Sequence, residues 1–287
     1  MKALIIGSNG QLGWELIRTC PGTIDFTCVD YPEIDISDGS TINKWINSTS
    51  PDFIINAAAY TDVDRAEKEQ AKAFKVNHTG AVNLALEAKL AKIHLVHIST
   101  DFVFNGKNYK PYKPDDKPDP ESVYGKSKFQ GELEIKKIHD NKSLIIRTAW
   151  LYSSHGKNFV KTMLNLMKGR NNIKVIDEQI GTPTWANGLA KAIWIAIEKK
   201  LTGIIHYTDA GVASWYDFAI AIQEEGISLG LINHKNKIHP VPGTEFPTPA
   251  TRPMYSVLDK QSMKKATEIT PVHWRVQLRS MLKEIVE

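Results

Sequence analysis

Apolar runs alternate with amphipathic segments through the first half of this 287-residue chain. Short, nearly continuous apolar runs predict buried strands at residues 2–6, 24–29, 53–56, 93–99 and 144–147. Between them, apolar residues recur at helical spacing and predict helices over residues 11–20, 40–49, 64–90 and 122–139. Strands that alternate with helices predict an α/β fold, a Rossmann-type doubly wound parallel sheet covered on both faces.

The second half of the chain is less regular. A strand-like run at 174–176, a helix over 185–199 and a strand over 204–207 are predicted to return to the same sheet. A proline-rich stretch at 241–253 and an amphipathic segment at 274–286 predict a smaller, mainly C-terminal lobe of helices and loops. We therefore expect a nucleotide-binding domain of residues 1–150 with 171–210, and a substrate lobe of residues 151–170 with 211–287.

Composition excludes several classes of function. Hydrophobic residues make up 42% of the chain and charged residues 24%, which is enough for a sizeable core without disulfides or metals. The net charge of +4 is not gathered into a basic tract, so nucleic-acid binding gains no support, while an anionic small substrate is compatible. No zinc-ligand spacing occurs, and no apolar run predicts a signal peptide or a membrane span. We expect a cytoplasmic protein with no membrane partner and no metal.

Glycines follow the first predicted strand and open the first predicted helix. Gly7, Gly10 and Gly13 form a G-x-x-G-x-x-G turn. Such a turn lets the backbone approach a pyrophosphate, which then lies at a helix N-terminus. Its position between strand and helix at the start of a βαβ unit predicts a dinucleotide site.

Acidic residues after the second strand bear on the choice of cofactor. Asp30 ends that strand, where a carboxylate can accept hydrogen bonds from the adenosine ribose hydroxyls and repels a 2′-phosphate. No Lys or Arg lies between Asp30 and Lys44. The sequence therefore favours NADH over NADPH. Asp35 is close enough in the chain to reach the adenine, although a helix N-cap is an equal alternative.

Tyr124 and Lys128 are the main candidates for chemistry. Their i, i+4 spacing in the helix predicted over 122–139 puts both side chains on one face. A phenol beside an ammonium can act as a proton donor near neutral pH, because the cation favours the phenolate. Tyr109 and Lys113 have the same spacing, but Pro111 interrupts any helix there.

Hydroxyl side chains end the fourth predicted strand. Ser99 and Thr100 lie at its carboxyl end, where a parallel sheet presents side chains to a ligand. Together with Tyr124 and Lys128, Ser99 and Thr100 would polarise a carbonyl oxygen and protonate the alkoxide that hydride attack forms. A strand-end cap is the alternative role for the two hydroxyls.

Several motifs together make the chain resemble the dTDP-4-dehydrorhamnose reductases, within the extended short-chain dehydrogenase/reductase superfamily. Besides the glycine turn and Tyr124-x-x-x-Lys128, these motifs occupy residues 10–16, 56–67, 99–104, 123–128, 147–152, 181–184 and 246–253. The resemblance spans nearly the whole chain, and the later motifs are more specific than the glycine turn.

The resemblance implies a reaction and a set of contacts. The reaction is NAD(P)H-dependent reduction of the C4 ketone of dTDP-4-dehydro-6-deoxy-L-mannose to dTDP-L-rhamnose. Tyr124 would deliver the proton, Lys128 would lower the pKa of Tyr124 and hold the nicotinamide ribose, and Thr100 would orient the reacting oxygen. Thr100, Asp101 and Trp150 would contact the sugar, and Arg252 is a candidate for the diphosphate. Implied cofactor contacts are Gly10, Gln11, Leu12, Asp30, Asp35, Ile36, Ala59, Tyr60, Thr61, Tyr124 and Lys128.

Two departures from the family pattern affect these expectations. Phe102 stands where relatives often carry Tyr, and dehydratases of the superfamily have a second acid there, so elimination chemistry is disfavoured. Some relatives bind magnesium between subunits, but Asn187 here aligns with an acid, so magnesium is disfavoured while a homodimer stays compatible. Alternatives are another sugar-nucleotide reductase or epimerase, and a non-catalytic regulatory subunit resembling that of methionine adenosyltransferase.

Overall fold

A computed structural model describes residues 1–286. Its strands, in chain order, are β1 (Lys2–Ile6), β2 (Asp25–Val29), β3 (Phe53–Asn56), β4 (His94–Thr100), β5 (Ser143–Thr148), β6 (Leu151–Tyr152), β7 (Asn172–Ile176), β8 (Ile180–Gly181), β9 (Thr184–Trp185), β10 (Gly203–His206), β11 (Ala213–Ser214) and β12 (Lys237–Val241). Its α-helices are α1 (Gln11–Arg18), α2 (Gly39–Thr49), α3 (Val63–Ala66), α4 (Gln70–Phe74), α5 (Gly80–Leu90), α6 (Val123–His139), α7 (Phe159–Gly169), α8 (Ala186–Glu198), α9 (Trp215–Ser228), α10 (Gln261–Thr267) and α11 (Trp274–Val286).

The central sheet has six strands in the order β2, β1, β3, β4, β5, β10, and every pairing is parallel. Helices α1, α8 and α10 pack on one face, and α2, α5 and α6 pack on the other. The predicted doubly wound Rossmann-type sheet is thus confirmed. The chain reverses its direction of strand addition between β1 and β3, and ligands bind outside the carboxyl ends of strands at such a point.

The prediction that residues 174–176 rejoin the central sheet is wrong. Strand β7 pairs with β12 in a separate two-stranded sheet, whereas β10 joins the central sheet beside β5. Residues along β7 alternate between exposed and buried, as expected for a strand with one face in contact with solvent. A second hydrophobic cluster, built from α7, α9, α11 and this small sheet, covers its other face.

The single helix predicted over 64–90 is also wrong. The segment forms α3, α4, a π-helical turn over Lys75–Thr79 and α5. Between α3 and α4, the Glu67 carboxylate accepts a hydrogen bond of 2.8 Å from the backbone N–H of Val123 at the start of α6. This tertiary contact lies where the helical pattern is interrupted. No helix among residues 1–286 is long and apolar enough to cross a bilayer.

A buried ion pair fixes α6 to the sheet. Glu132 on α6 accepts from Nε (2.9 Å) and Nη2 (2.6 Å) of Arg147 on β5, and the hydroxyl of Ser99 on β4 donates to the same carboxylate. Both charged side chains are only 1% exposed. Since each charge depends on the other for compensation, the pair specifies how α6 lies on β4 and β5.

We predict that Arg147→Met lowers the free energy of unfolding by about 3–5 kcal/mol, because it leaves the Glu132 carboxylate buried without its partner. Urea unfolding followed by circular dichroism measures the change. The control is Lys174→Met, which breaks the exposed ion pair between Lys174 and Glu245 (2.7 Å) and should change the same quantity by no more than about 1 kcal/mol. Equal losses in the two variants would contradict the assignment.

Candidate active site

One long cleft runs along the carboxyl ends of the central strands. Its volume is about 1020 Å³, and its walls come from the loops after β1, β2, β3, β4 and β5 together with Trp215 and Arg252. Most residues predicted to bind cofactor line it; they are Gly7, Gly10, Gln11, Leu12, Asp30, Asp35, Ile36, Ala59, Thr61, Tyr124 and Lys128. Gly13 and Tyr60 are not among the lining residues.

The glycine turn is required by close backbone contacts. Gly7 has a φ of +86°, and a Cβ there would lie 2.6 Å from the backbone nitrogen of Ala58. A Cβ on Gly13 would lie 2.1 Å from the carbonyl oxygen of Gly7. Gly13 therefore serves the packing of α1 against the turn, while Gly7 and Gly10 border the cleft. This cradle fits a dinucleotide pyrophosphate.

Asp30 braces the same turn. Its carboxylate accepts hydrogen bonds of 2.7 Å from the backbone N–H groups of Asn9 and Tyr31, and the side chain stays partly exposed at the cleft. A carboxylate has lone pairs left for ribose hydroxyls after these two bonds. Asp30 thus suits the predicted role and has a structural role that the sequence did not reveal.

Asp35 lies in the cleft wall and is not the N-cap that was the alternative. The cap of α2 is Asp38, whose side chain accepts from the N–H of Ser40. Asp35 instead accepts from the hydroxyl of Ser37 (2.6 Å), and this hydrogen bond holds the pKa of its carboxyl below the usual range. Lys72 and Lys75 also line the cleft. The sequence did not indicate these two cations near Asp35, because they lie in the connection after β3 and not in the one after β2.

Tyr60 points away from the cleft. Its hydroxyl donates to Glu69 (3.1 Å), and its backbone N–H donates to the side-chain oxygen of Asn77 (2.8 Å). Through its main chain, Tyr60 continues the loop that carries Ala59 and Thr61 along the cleft wall.

Tyr124, Lys128 and Thr100 all line this cleft. The helix α6 begins at Val123 because the Ser122 hydroxyl caps the N–H of Gly125 (3.1 Å), and this places Tyr124 in the first turn. The ring of Phe102 meets that of Tyr124 edge to face, with centroids 5.6 Å apart. By contrast, Tyr109 is 82% exposed in a non-helical loop, as the prolines predicted.

The lowering of the Tyr124 pKa by Lys128 stays a prediction, which burial opposes in this structure. Burial raises the pKa of Tyr124 to about 12, although the neighbouring Thr100 hydroxyl acts in the opposite direction. Burial also lowers the pKa of Lys128 to about 8, opposed by the charge of Glu132. The Lys128 ammonium nitrogen lies 2.6 Å from the carbonyl oxygen of Ile98 and 3.2 Å from Nε2 of His97, so its partners are in the sheet.

The far end of the cleft is aromatic and acidic. Trp150 has a φ of +48° and stacks on Trp215 with 3.6 Å between ring centroids and 4° between planes. Asp101 is buried and accepts from the Thr100 hydroxyl (3.0 Å), and burial raises its pKa to about 6. Trp215 was missed, although the Ser214 and Asp217 capping box at the start of α9 marked its position.

Arg252 reaches the cleft with its guanidinium already engaged. Its Nη1 and Nη2 donate to the two oxygens of Asp64 at 3.0 and 2.7 Å. No local pattern predicts this pair, because 188 residues separate its members. A phosphate would compete with Asp64 for the guanidinium or bind its remaining N–H groups.

The residues considered for magnesium do not form a fitting site. Glu15 is fully buried and accepts from Asn187 (2.8 Å) and Ser153 (2.9 Å), while Arg18 lies 3.7 Å away. An amide and a guanidinium therefore occupy the positions around this carboxylate. Across residues 1–286, no three His, Cys, Asp or Glu side chains are grouped in a way that could hold a metal.

Known proteins match this chain over its full length. The family profile described as the RmlD substrate binding domain matches residues 1–287. The spore coat polysaccharide biosynthesis protein SpsK of Bacillus subtilis (strain 168) is 40% identical over 285 residues, which cover 99% of this chain and 97% of that protein.

Solved structures of relatives superimpose closely. A dTDP-4-dehydrorhamnose reductase from Clostridium acetobutylicum is 39% identical with a TM-score of 0.93, and the match covers 100% of both chains. The enzyme of that name from Bacillus anthracis, solved in complex with NADP, is 37% identical with a TM-score of 0.93 over 99% of both chains. By fold, site and sequence, this chain belongs to the RmlD substrate binding domain family, that of the dTDP-4-dehydrorhamnose reductases.

Proposed function

We propose that this protein reduces the C4 ketone of dTDP-4-dehydro-6-deoxy-L-mannose to dTDP-L-rhamnose with a nicotinamide cofactor. The observation that carries the proposal is the meeting of Tyr124, Lys128 and Thr100 in a cleft that also contains the glycine turn. Relatives over 30% identical along nearly the whole chain carry the name of this activity.

The chain's own residues have distinct tasks in this reaction. The glycine turn and Lys128 would hold a reduced nicotinamide dinucleotide, which would supply the hydride. Tyr124 donates its phenolic proton to the ketone oxygen as that oxygen becomes an alkoxide. The Thr100 hydroxyl, which donates to Asp101 in this structure, would turn to donate to the same oxygen and orient it. Lys128 in its ammonium form favours the phenolate that Tyr124 leaves behind.

The paired indoles and Arg252 are suited to a nucleotide sugar. Trp150 and Trp215 offer an apolar wall at the end of the cleft beyond Tyr124, and Asp101 lies behind Thr100. The planar fork of Arg252 matches a diphosphate. We also propose that the two expected lobes exist, with residues 172–185 assigned to the substrate lobe, because β7 and β8 pair only with strands from that side.

We propose NADH as the preferred cofactor, with NADPH also accepted. Asp30 supports NADH because its carboxylate repels a 2′-phosphate. Lys72 and Lys75 at the adenosine end of the cleft make NADPH acceptable, and the Bacillus anthracis relative was solved with NADP.

The direct test is to follow NADH absorbance with dTDP-4-dehydro-6-deoxy-L-mannose as substrate. We expect oxidation that depends on both the sugar and the protein. The absence of oxidation with NADH and with NADPH would refute the proposed function. Co-purification with a methionine adenosyltransferase without ketone reduction would instead favour the regulatory alternative, while epimerised sugar with no net NADH loss would favour an epimerase.

We predict that Tyr124→Phe lowers turnover by about two to four orders of magnitude, the usual contribution of general acid catalysis. NADH binding, measured by fluorescence, should change little because the ring stays in place. Tyr109→Phe is the matched control, since it removes a hydroxyl from an exposed loop and should leave turnover unchanged. Wild-type turnover in Tyr124→Phe would show that Tyr124 is not the proton donor.

We predict that Asp30→Asn raises the ratio of NADPH to NADH use, measured as kcat/KM for each cofactor. Asn keeps an oxygen that can accept from the N–H of Asn9, but it removes the charge that repels a 2′-phosphate. Asp30→Ala should raise the same ratio while weakening both cofactors, because the brace of the glycine turn is lost as well. An unchanged ratio in both variants would contradict the ribose assignment.

A further inference from the structure

His97 is a buried titratable residue that the proposed chemistry does not use. It lies on β4, is 1% exposed and does not line the cleft, so it has no access to substrate. Its Nε2 is nevertheless 3.2 Å from Nζ of Lys128, and its Nδ1 is 3.0 Å from the side-chain nitrogen of Asn56. Asn56, on β3, is the register partner of His97 and is equally buried.

The backbone of Ala58 fixes the direction of these hydrogen bonds. Its N–H donates to the side-chain oxygen of Asn56 at 3.2 Å. The amide nitrogen of Asn56 is therefore turned towards His97, and the opposite orientation would set two donors against each other at Ala58. Because an amide nitrogen only donates, Nδ1 of His97 is an acceptor and carries no hydrogen.

This acceptor role determines the tautomer of His97. Burial first, and then the nearby Lys128, hold the pKa of His97 well below its ordinary value, so the ring is neutral. A neutral imidazole carries one hydrogen, which must be on Nε2. That N–H faces Nζ of Lys128. An ammonium has donors only, whereas a neutral amine has a lone pair to accept with.

We propose that Asn56 and His97 are positioning residues that favour the neutral amine of Lys128 over its ammonium form. Asn56 holds the ring in its Nε2–H tautomer, His97 donates to Lys128, and Lys128 donates to the carbonyl of Ile98. The proposed reduction uses the ammonium form, so this network would set the upper end of the pH range in which the protein is active, and this consequence alone rests on the proposed function.

The other charges near Lys128 leave this preference in place. Besides Tyr124 and Glu132, α6 carries Lys126, Glu134, Lys136, Lys137 and His139, and the segments packed against it carry Glu67, Lys72, Lys75, Asp101 and Arg147 among others. Glu132 is the charge that acts on Lys128. Arg147 engages the Glu132 carboxylate on both oxygens, and Glu67 is turned to the N–H of Val123. Burial is the larger influence on Lys128 and lowers its pKa, in the same direction as the hydrogen-bond argument.

The first test is the tautomer itself. Long-range ¹H–¹⁵N spectra of the labelled full-length protein distinguish a protonated from an unprotonated imidazole nitrogen, and His97→Gln assigns the signal. We expect the hydrogen on Nε2 of His97. A hydrogen on Nδ1, or an imidazolium at neutral pH, would overturn the proposal without reference to any activity.

The second test uses one isosteric substitution to reverse the direction of the hydrogen bonds that link residue 56, His97 and Lys128. In Asn56→Asp, a carboxylate oxygen accepts from Nδ1–H of His97, so Nε2 becomes an acceptor and the Lys128 ammonium is favoured. Asn47→Asp adds the same charge on exposed α2 and is the matched control. In the wild type we expect kcat/KM to fall as pH rises through the Lys128 pKa near 8. In Asn56→Asp, but not in Asn47→Asp, this fall should occur about 1–3 pH units higher.

NADH binding followed by fluorescence over the same pH range separates the two proposals. Lys128 is expected to hold the nicotinamide ribose, so its titration should alter NADH affinity even if no sugar is reduced. A shifted binding profile in Asn56→Asp without ketone reduction would defeat the proposed function and support this inference. Profiles that coincide for wild type, Asn56→Asp and Asn47→Asp would defeat the inference, whatever the sugar assay gives.

Discussion

The arrangement of the site depends on buried polar contacts between one helix and the sheet. Lys128 and Glu132, one turn apart on α6, are held by the carbonyl of Ile98, by His97 and Ser99 on β4, and by Arg147 on β5. Apolar packing is non-directional and would tolerate small rotations of the helix. Charged hydrogen bonds have defined directions and are expensive to break when buried. They therefore fix the rotation of α6, and with it the position of Tyr124 beside Thr100.

The same contacts create a tension between architecture and chemistry. A lysine surrounded by sheet atoms is desolvated, and desolvation opposes the charge that would activate a neighbouring phenol. In this structure burial dominates, since the pKa of Tyr124 rises and that of Lys128 falls. The helix thus delivers both groups to the right place, and burial favours their neutral forms. The proposed tautomer of His97, held by Asn56, would add to this effect at Lys128.

Local pattern predicted the parts of this molecule that depend on local physics. Apolar runs located the six strands of the central sheet, and a strand-to-helix glycine turn located the dinucleotide end, because both signals lie within a few consecutive residues. The position of Pro111 correctly predicted that Tyr109, unlike Tyr124, does not lie in a helix. Pattern failed where distant residues decide the outcome. The pairing of β7 with β12, the break between α3 and α4, and the bond between Asp64 and Arg252 all depend on contacts that no local window contains.

The stack of Trp150 on Trp215 has a consequence for how a sugar is recognised. At 3.6 Å the two indoles are already in van der Waals contact, so no ring fits between them. A ligand meets their shared edge or outer face, a single surface to which the end of β5 and the start of α9 each contribute one ring. Side chains in direct contact lose additivity. The contributions of the two tryptophans to binding any ligand at this surface are therefore thermodynamically coupled, and the proposed sugar selectivity would be a joint property of both segments of the chain.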